Sequence, residues 1–135
     1  MQSAELSPMK HQNLQDRTRK FALSVIKFTE QLLCDETSKN LGRQLLRSGT
    51  SVGANYRAVC RAKSKADFIS KMGTVLEEAD ESAFWIELLV DAAKANPQFA
   101  QPLLAEANEL TAIAAASINT ARRNGSSPKM NLVLR

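Results

Sequence analysis

Asn40-Leu-Gly-Arg-Gln-Leu-Leu-Arg-Ser-Gly-Thr-Ser-Val-Gly-Ala-Asn-Tyr-Arg-Ala-Val-Cys-Arg61 carries three messages on three faces of a helix. Helical periodicity puts Leu41, Leu45, Ser48, Val52 and Val59 on one side, the apolar stripe of a core-facing helix. Arg43, Arg47, Arg57 and Arg61 fall within about 40° of a common direction on the opposite side. Between the two runs a seam of small residues: Gly42, Gly49, Gly53 and Cys60. A glycine inside a helix costs roughly 1 kcal/mol relative to alanine. Glycines repeated along one line therefore predict the close approach of another helix backbone.

Outward from this stretch the same periodicity continues. A first helix is expected from Asn13 to Leu33, with Leu14, Phe21, Val25, Phe28 and Leu32 inward. Cys34 to Thr37 form a turn, and Thr37 or Ser38 caps the second helix, which reaches about Lys63. Ser64-Lys-Ala-Asp67 reads as a capping box opening a third helix that ends near Ala95. Asn96-Pro97 stops that helix, and a short turn over residues 97–100 leads to a fourth helix from Pro102 to Arg123. Its inward residues are Leu103, Ala107, Leu110, Ala114 and Ile118. Short connections between long amphipathic helices predict an all-α, antiparallel up-down-up-down four-helix bundle over residues 13–124. A flexible segment, 1–12, precedes it and a tail, 125–135, follows it.

Composition narrows the function. With 135 residues the chain suits one domain, and its few glycines, prolines and aromatics suit a helical one. No apolar run is long enough to span a bilayer, and no positive-then-apolar start marks a secretory signal, so a cytoplasmic location is expected. Cys34 and Cys60 lack metal-ligand or redox spacing and read as reduced thiols. The net charge of +4 hides blocks. Residues 38–71 hold eight Lys/Arg against one Asp, whereas 72–110 hold one Lys against eight Asp/Glu. Part of this is neutralised between neighbouring helices; a remaining positive face is suited to a polyanion.

The third helix is apolar on two sides. Phe68, Ile69, Met72, Val75, Leu76, Ala79, Ala83, Ile86 and Val90 supply the core. Phe84, Trp85 and Leu88 point elsewhere, beside Glu77 and Glu81. Exposed together they make a patch large enough to mark a contact surface, with Trp85 its anchor. Self-association is expected there, with Gly49 and Gly53 assigned to the same subunit contact. Catalytic chemistry is not indicated. The one histidine, His11, lies in the opening segment, and no phosphate-binding loop or dinucleotide fingerprint is present. The carboxylates of the third helix have no Glu-x-x-His partner. No catalytic residue, metal or cofactor is assigned.

Three stretches carry a resemblance. Gln44-Leu-Leu-Arg-Ser-Gly-Thr-Ser-Val-Gly-Ala-Asn-Tyr-Arg-Ala58 is followed by Arg61-Ala-Lys-Ser-Lys-Ala-Asp-Phe-Ile-Ser-Lys-Met-Gly73 and Glu77-Glu-Ala-Asp-Glu-Ser-Ala-Phe-Trp-Ile-Glu-Leu-Leu89. Together with Glu106-Ala-Asn-Glu-Leu110 and Ser117-Ile-Asn-Thr-Ala-Arg-Arg123, they closely resemble the 23S rRNA-intervening-sequence protein family, the four-helix bundle proteins. The resemblance spans residues 14–124. It implies a homopentamer with a basic surface and a link to RNA. It also implies kinship with accessory proteins of diversity-generating retroelements, which work beside a reverse transcriptase. Arg43, Arg47, Arg57, Arg61, Lys63, Lys65 and Lys71 resemble commonly basic family positions and are the candidate nucleic-acid contacts. Asn55, Asp67, Glu77, Glu81 and Trp85 match its polar and aromatic signature. Ala58 departs from it, standing where an acid is frequent, which leaves the arginines less neutralised.

Two functions are therefore expected to compete. One is a non-catalytic oligomer that binds RNA through phosphate contacts. The other is a structural scaffold whose arginines are consumed at subunit contacts and whose partner is a protein, such as a reverse transcriptase.

Overall fold

A computed structural model describes residues 8–124, with side chains described from Asn13 onward. It contains four helices: α1 (Pro8–Glu30), α2 (Glu36–Val59), α3 (Lys65–Asp91) and α4 (Pro97–Arg123). No strand occurs among the described residues. Each helix packs on its chain neighbour, and α1 returns to α4 across a looser edge.

The register of α1 against α2 follows the glycine seam. A methyl group added at Gly49 would fall 2.7 Å from Val25 Cγ2, and one at Gly42 would lie 3.0 Å from Leu32 Cδ1. At Gly53 it would stand 3.3 Å from the backbone oxygen of Thr18. As the chain is followed from Thr18 on α1 to Leu32 just beyond it, the partner on α2 moves back from Gly53 to Gly42. Thr18 is buried there and donates its hydroxyl to the Leu14 carbonyl at 2.8 Å, so it brings no unsatisfied group into the seam. This corrects the assignment of Gly49 and Gly53 to a subunit contact: α1 of the same chain fills the space above them.

The core matches the predicted stripes at their centres. Leu45, Ser48, Val52 and Val59 are buried on α2, as are Phe21, Val25 and Phe28 on α1 and Leu103, Ala107, Leu110, Ala114 and Ile118 on α4. Ile69, Leu76 and Val90 of α3 lie only at the core's margin, as do Leu41 and Leu32. Tyr56 is buried too, and burial pushes its phenol pKa up. Between α2 and α3 the hydroxyls of Ser48 and Ser82 meet at 2.9 Å, fully buried, and Ser82 also donates to the Glu78 carbonyl. A pair of small hydroxyls lets two helices close on each other without leaving a polar atom unpaired.

Every helix differs from expectation at one end or both. α1 begins at Pro8 rather than Asn13, so the expected flexible opening is already helical there, and it stops at Glu30 instead of Leu33. α2 is capped by Asp35, not Thr37 or Ser38; its carboxylate accepts the Ser38 amide at 2.9 Å and the Ser38 hydroxyl at 3.0 Å. A charged oxygen at the positive helix end outcompetes a neutral hydroxyl. α2 then stops at Val59, four residues early, and α3 stops at Asp91. At that last end Ala93 takes a positive φ of 59°, while the Ala93 and Lys94 amides donate to the Val90 and Leu89 carbonyls. This is a Schellman stop built on alanine instead of glycine. Lys94 then reaches Asp35 at 3.5 Å and ties the two turns at this end together.

The remaining difference is α4, which starts at Pro97 and runs through Pro102. Asn96 caps it, accepting the Gln98 and Phe99 amides, and proline at the first helical position loses no bond. Pro102 forfeits a bond to the Gln98 carbonyl. Gln98 is exposed, so water can serve that carbonyl instead. Ser64 caps α3 as expected: its hydroxyl accepts the Asp67 amide at 3.0 Å, while Asp67 accepts the Lys63 amide at 3.0 Å. The tail 125–135 lies outside the described residues. Among those described, no helix is long and apolar enough to cross a membrane.

Candidate nucleic-acid interface

The register that buries Leu45 and Val52 turns the arginines of α2 outward, and all four are exposed. Their neighbours divide them. Arg43 donates from Nη2 to Asn40 Oδ1, one turn back on its own helix. Arg47 is taken by α3 of the same chain: Nη1 meets Glu78 Oε1 at 3.3 Å and Nη2 is bonded to Glu81 Oε2. Glu81 also accepts the Trp85 indole N–H at 2.9 Å. The indole bond does most to hold the Glu81 carboxyl below the usual carboxylate range; burial opposes it, and the bond and charge of the Arg47 guanidinium add to the lowering. Lys71 pairs with Asp67 at 2.9 Å, one turn apart on α3. That pair and the Lys63 amide hold Asp67 low as well.

Five of the seven predicted cations form no salt bridge among the described residues; one of them, Arg43, is bonded to the Asn40 amide oxygen. The other four, Arg57, Arg61, Lys63 and Lys65, form no salt bridge either, although the Lys63 charge helps to lower the Asp67 pKa, and the first three are exposed. They occupy the last turn of α2, the connection and the first position of α3. No acid interrupts residues 57–65. These four cations lie within nine residues of one another in the chain, at the α2–α3 connection. Arg57 sits in the last turn of α2, where the negative end of the helix dipole favours its charge. No exposed ring accompanies the group. Tyr56 is buried, and Cys60, which accepts a hydrogen bond from Gln15 Nε2 at 3.4 Å, is half-buried with its thiol pKa raised by burial. Such a surface suits phosphates rather than stacked bases.

The predicted assembly residues form a second feature. Phe84 is 51% exposed, with Trp85 and Leu88 half-buried beside it. The Phe84 and Trp85 rings meet edge to face with centroids 5.0 Å apart. The Glu81 bond fixes the indole, so the two rings present a stiff ridge. Glu77 lies exposed alongside, and Glu81 faces Arg47 of its own chain.

Sequence reasoning did not find the edge between α1 and α4. Phe99, placed in a turn by that reasoning, is helical, 51% exposed and stacked on Phe28 at 5.8 Å. Arg17 grips Glu106 there with two bonds, Nε to Oε2 at 3.0 Å and Nη2 to Oε1 at 2.7 Å. That carboxylate raises the Arg17 pKa. The Asn96-Pro97 pair, read as a cap followed by a first helical position, was the available signal for Phe99. Among the described residues no three His, Cys, Asp or Glu side chains gather as a metal-binding group.

Comparison with known proteins agrees with this architecture. The model of the 23S rRNA-intervening sequence protein family matches residues 10–116. A crystal structure from Bacteroides thetaiotaomicron, described as a protein with unknown function from the S23 ribosomal protein family, is similar with a TM-score of 0.73 and 31% identity. The similarity covers 78% of this chain and 98% of that one. No curated protein matches the chain.

Proposed function

Because the chain belongs to the 23S rRNA-intervening sequence protein family, we propose that it is a non-catalytic, RNA-associated bundle of up-down-up-down topology that works as a cytoplasmic homo-oligomer, a pentamer by family resemblance. The group Arg57, Arg61, Lys63 and Lys65 carries this reading, since these cations form no salt bridge among the described residues and no acid interrupts residues 57–65. Guanidinium forks and ammonium groups on one short stretch can neutralise several phosphates of a single strand without reading its bases. Repetition of the group around an oligomer multiplies the effect through effective concentration.

The test is RNA affinity measured against salt. If all four cations of one chain meet phosphates, the log–log slope is about −3 on single-stranded RNA. Replacing the four by alanine should remove that share of the slope, whereas Arg43→Ala and Lys71→Ala should change it little. Absence of binding at low salt, or an unchanged slope in the fourfold variant, rejects the reading.

A second reading has its own observation. The Arg47–Glu81–Trp85 bonds fix a half-buried indole against which the exposed Phe84 ring rests, as a protein contact requires. In that case the chain is a scaffold for a protein partner such as a reverse transcriptase. Loss of partner capture in a Trp85→Ala variant with RNA binding intact would favour it.

A further inference from the structure

We propose that the groove between α1 and α4 receives the Phe84–Trp85 ridge of a second copy of this chain, in a head-to-tail contact. The inference rests on the self-association reading above and adds the surface that completes it.

The groove encloses about 520 Å³. Phe21, Phe28, Phe99, Pro102 and Leu103 give it an apolar lining. Arg17 and Glu106, bonded across one end, keep its two walls at a fixed separation. This is the bundle's loosest edge, and half of the Phe99 ring is exposed along it. A preformed apolar slot with a ring already stacked inside suits a second aromatic side chain.

Charge selects the occupant. Lys20 and Lys27 line the slot and are exposed, and residues 17–27 of α1 contain no acid. Lys27 has no carboxylate partner among the described residues; Lys20 meets Asp16 in a surface pair that exchanges at little cost. The ridge carries the opposite sign. Residues 77–91 of α3 contain six acids and no Lys or Arg, and Glu77, Asp80 and Glu87 are exposed near Phe84. An acid-rimmed knob and a base-rimmed slot are complementary in sign as well as in polarity.

Position excludes the chain's own ridge. α1 and α3 each pack on α2 and α4, so they stand diagonally. Glu81, at the foot of the ridge, bonds Arg47 of α2, which places that foot at the α2–α3 edge, across the bundle from the slot. Ridge and slot on opposite sides of one subunit make a heterologous interface, the type that closes into rings of any number or runs on as a filament.

Two charge-altering variants test this in the full chain. Phe99→Glu blocks the slot while placing an acid in the first turn of α4, where the dipole favours it. Phe84→Lys blocks the ridge while gaining a helical partner in Asp80. Both positions are half-exposed, and circular dichroism should show both variants folded. Light scattering should find each variant as single subunits, and an equimolar mixture should form a two-subunit species, because one intact ridge then meets one intact slot. If Phe84→Lys dissociates but Phe99→Glu keeps the wild-type mass, self-association stands and the slot assignment is overturned. A mixture that stays single also overturns it. Unchanged mass in Phe99→Glu, with faster amide exchange over residues 20–28 once 125–135 are removed, would make the chain's own tail the occupant. A wild-type protein that is a single subunit at micromolar concentration rejects self-association itself.

Discussion

The two edges of α1 are built in opposite ways. Toward α2 the contact is closed by glycines: Val25 lies so near Gly49 that no side chain fits between, and the Thr18 backbone lies against Gly53. Toward α4 the contact is held by one bidentate ion pair and one ring stack, with a groove between them. Close backbone approach at Gly49 and Gly53 gains dispersion contacts between the two helices. An edge pinned at two points leaves apolar surface for something else. One helix thus supplies both a closely packed joint and an open apolar groove.

The largest effect should come from breaking the tight edge. Gly49→Leu is expected to cost about 3 kcal/mol, since a branched side chain must displace Val25 in a filled seam; chemical denaturation measures it. The control reverses the sign. Gly73, on α3, has nothing within 4 Å of where its Cβ would stand. Gly73→Ala should therefore stabilise by about 1 kcal/mol through helix propensity alone, seen as a shifted denaturation midpoint at unchanged slope. A destabilised Gly73→Ala would show that α3 is more crowded than this reading allows.

The loose edge should respond weakly. Arg17→Ala removes a pair that is about one-third exposed on each side. We expect a loss of roughly 0.5–1 kcal/mol, well below that of Gly49→Leu. The smallest change concerns the ion pair on the far side of α2. The Glu81 carboxyl is held low in the folded state, so its contribution is present above the usual carboxylate range and fades as the pH falls through its folded value. Melting curves between pH 6 and 3 should show a shallower acid limb for Glu81→Gln than for the wild type.

Much of this architecture was legible in residue order. The stripe Leu45, Ser48, Val52, Val59 is buried as the helical period requires, and the Ser64–Asp67 cap lies where the capping pattern places it. The seam was recognised as a site of close approach, yet its partner was misjudged. A wheel records direction and not what lies across from it. The same limit governs the arginines. Arg47 and Arg57 lie within about 80° of each other on one wheel, but only Arg47 has Glu78 and Glu81 within reach.

Local chemistry by itself determined the four helices, their apolar stripes and the outward direction of the cations, because these depend on a period of 3.6 residues and on capping groups close in the chain. Tertiary structure alone decided that α1 fills the glycine seam, that Arg47 meets two carboxylates of α3 while Arg57, Arg61, Lys63 and Lys65 form no salt bridge among the described residues, and that α1 and α4 part to form a slot. Those outcomes depend on which helix stands opposite which, a matter of distances between residues far apart in the chain, and no spacing along one helix encodes it.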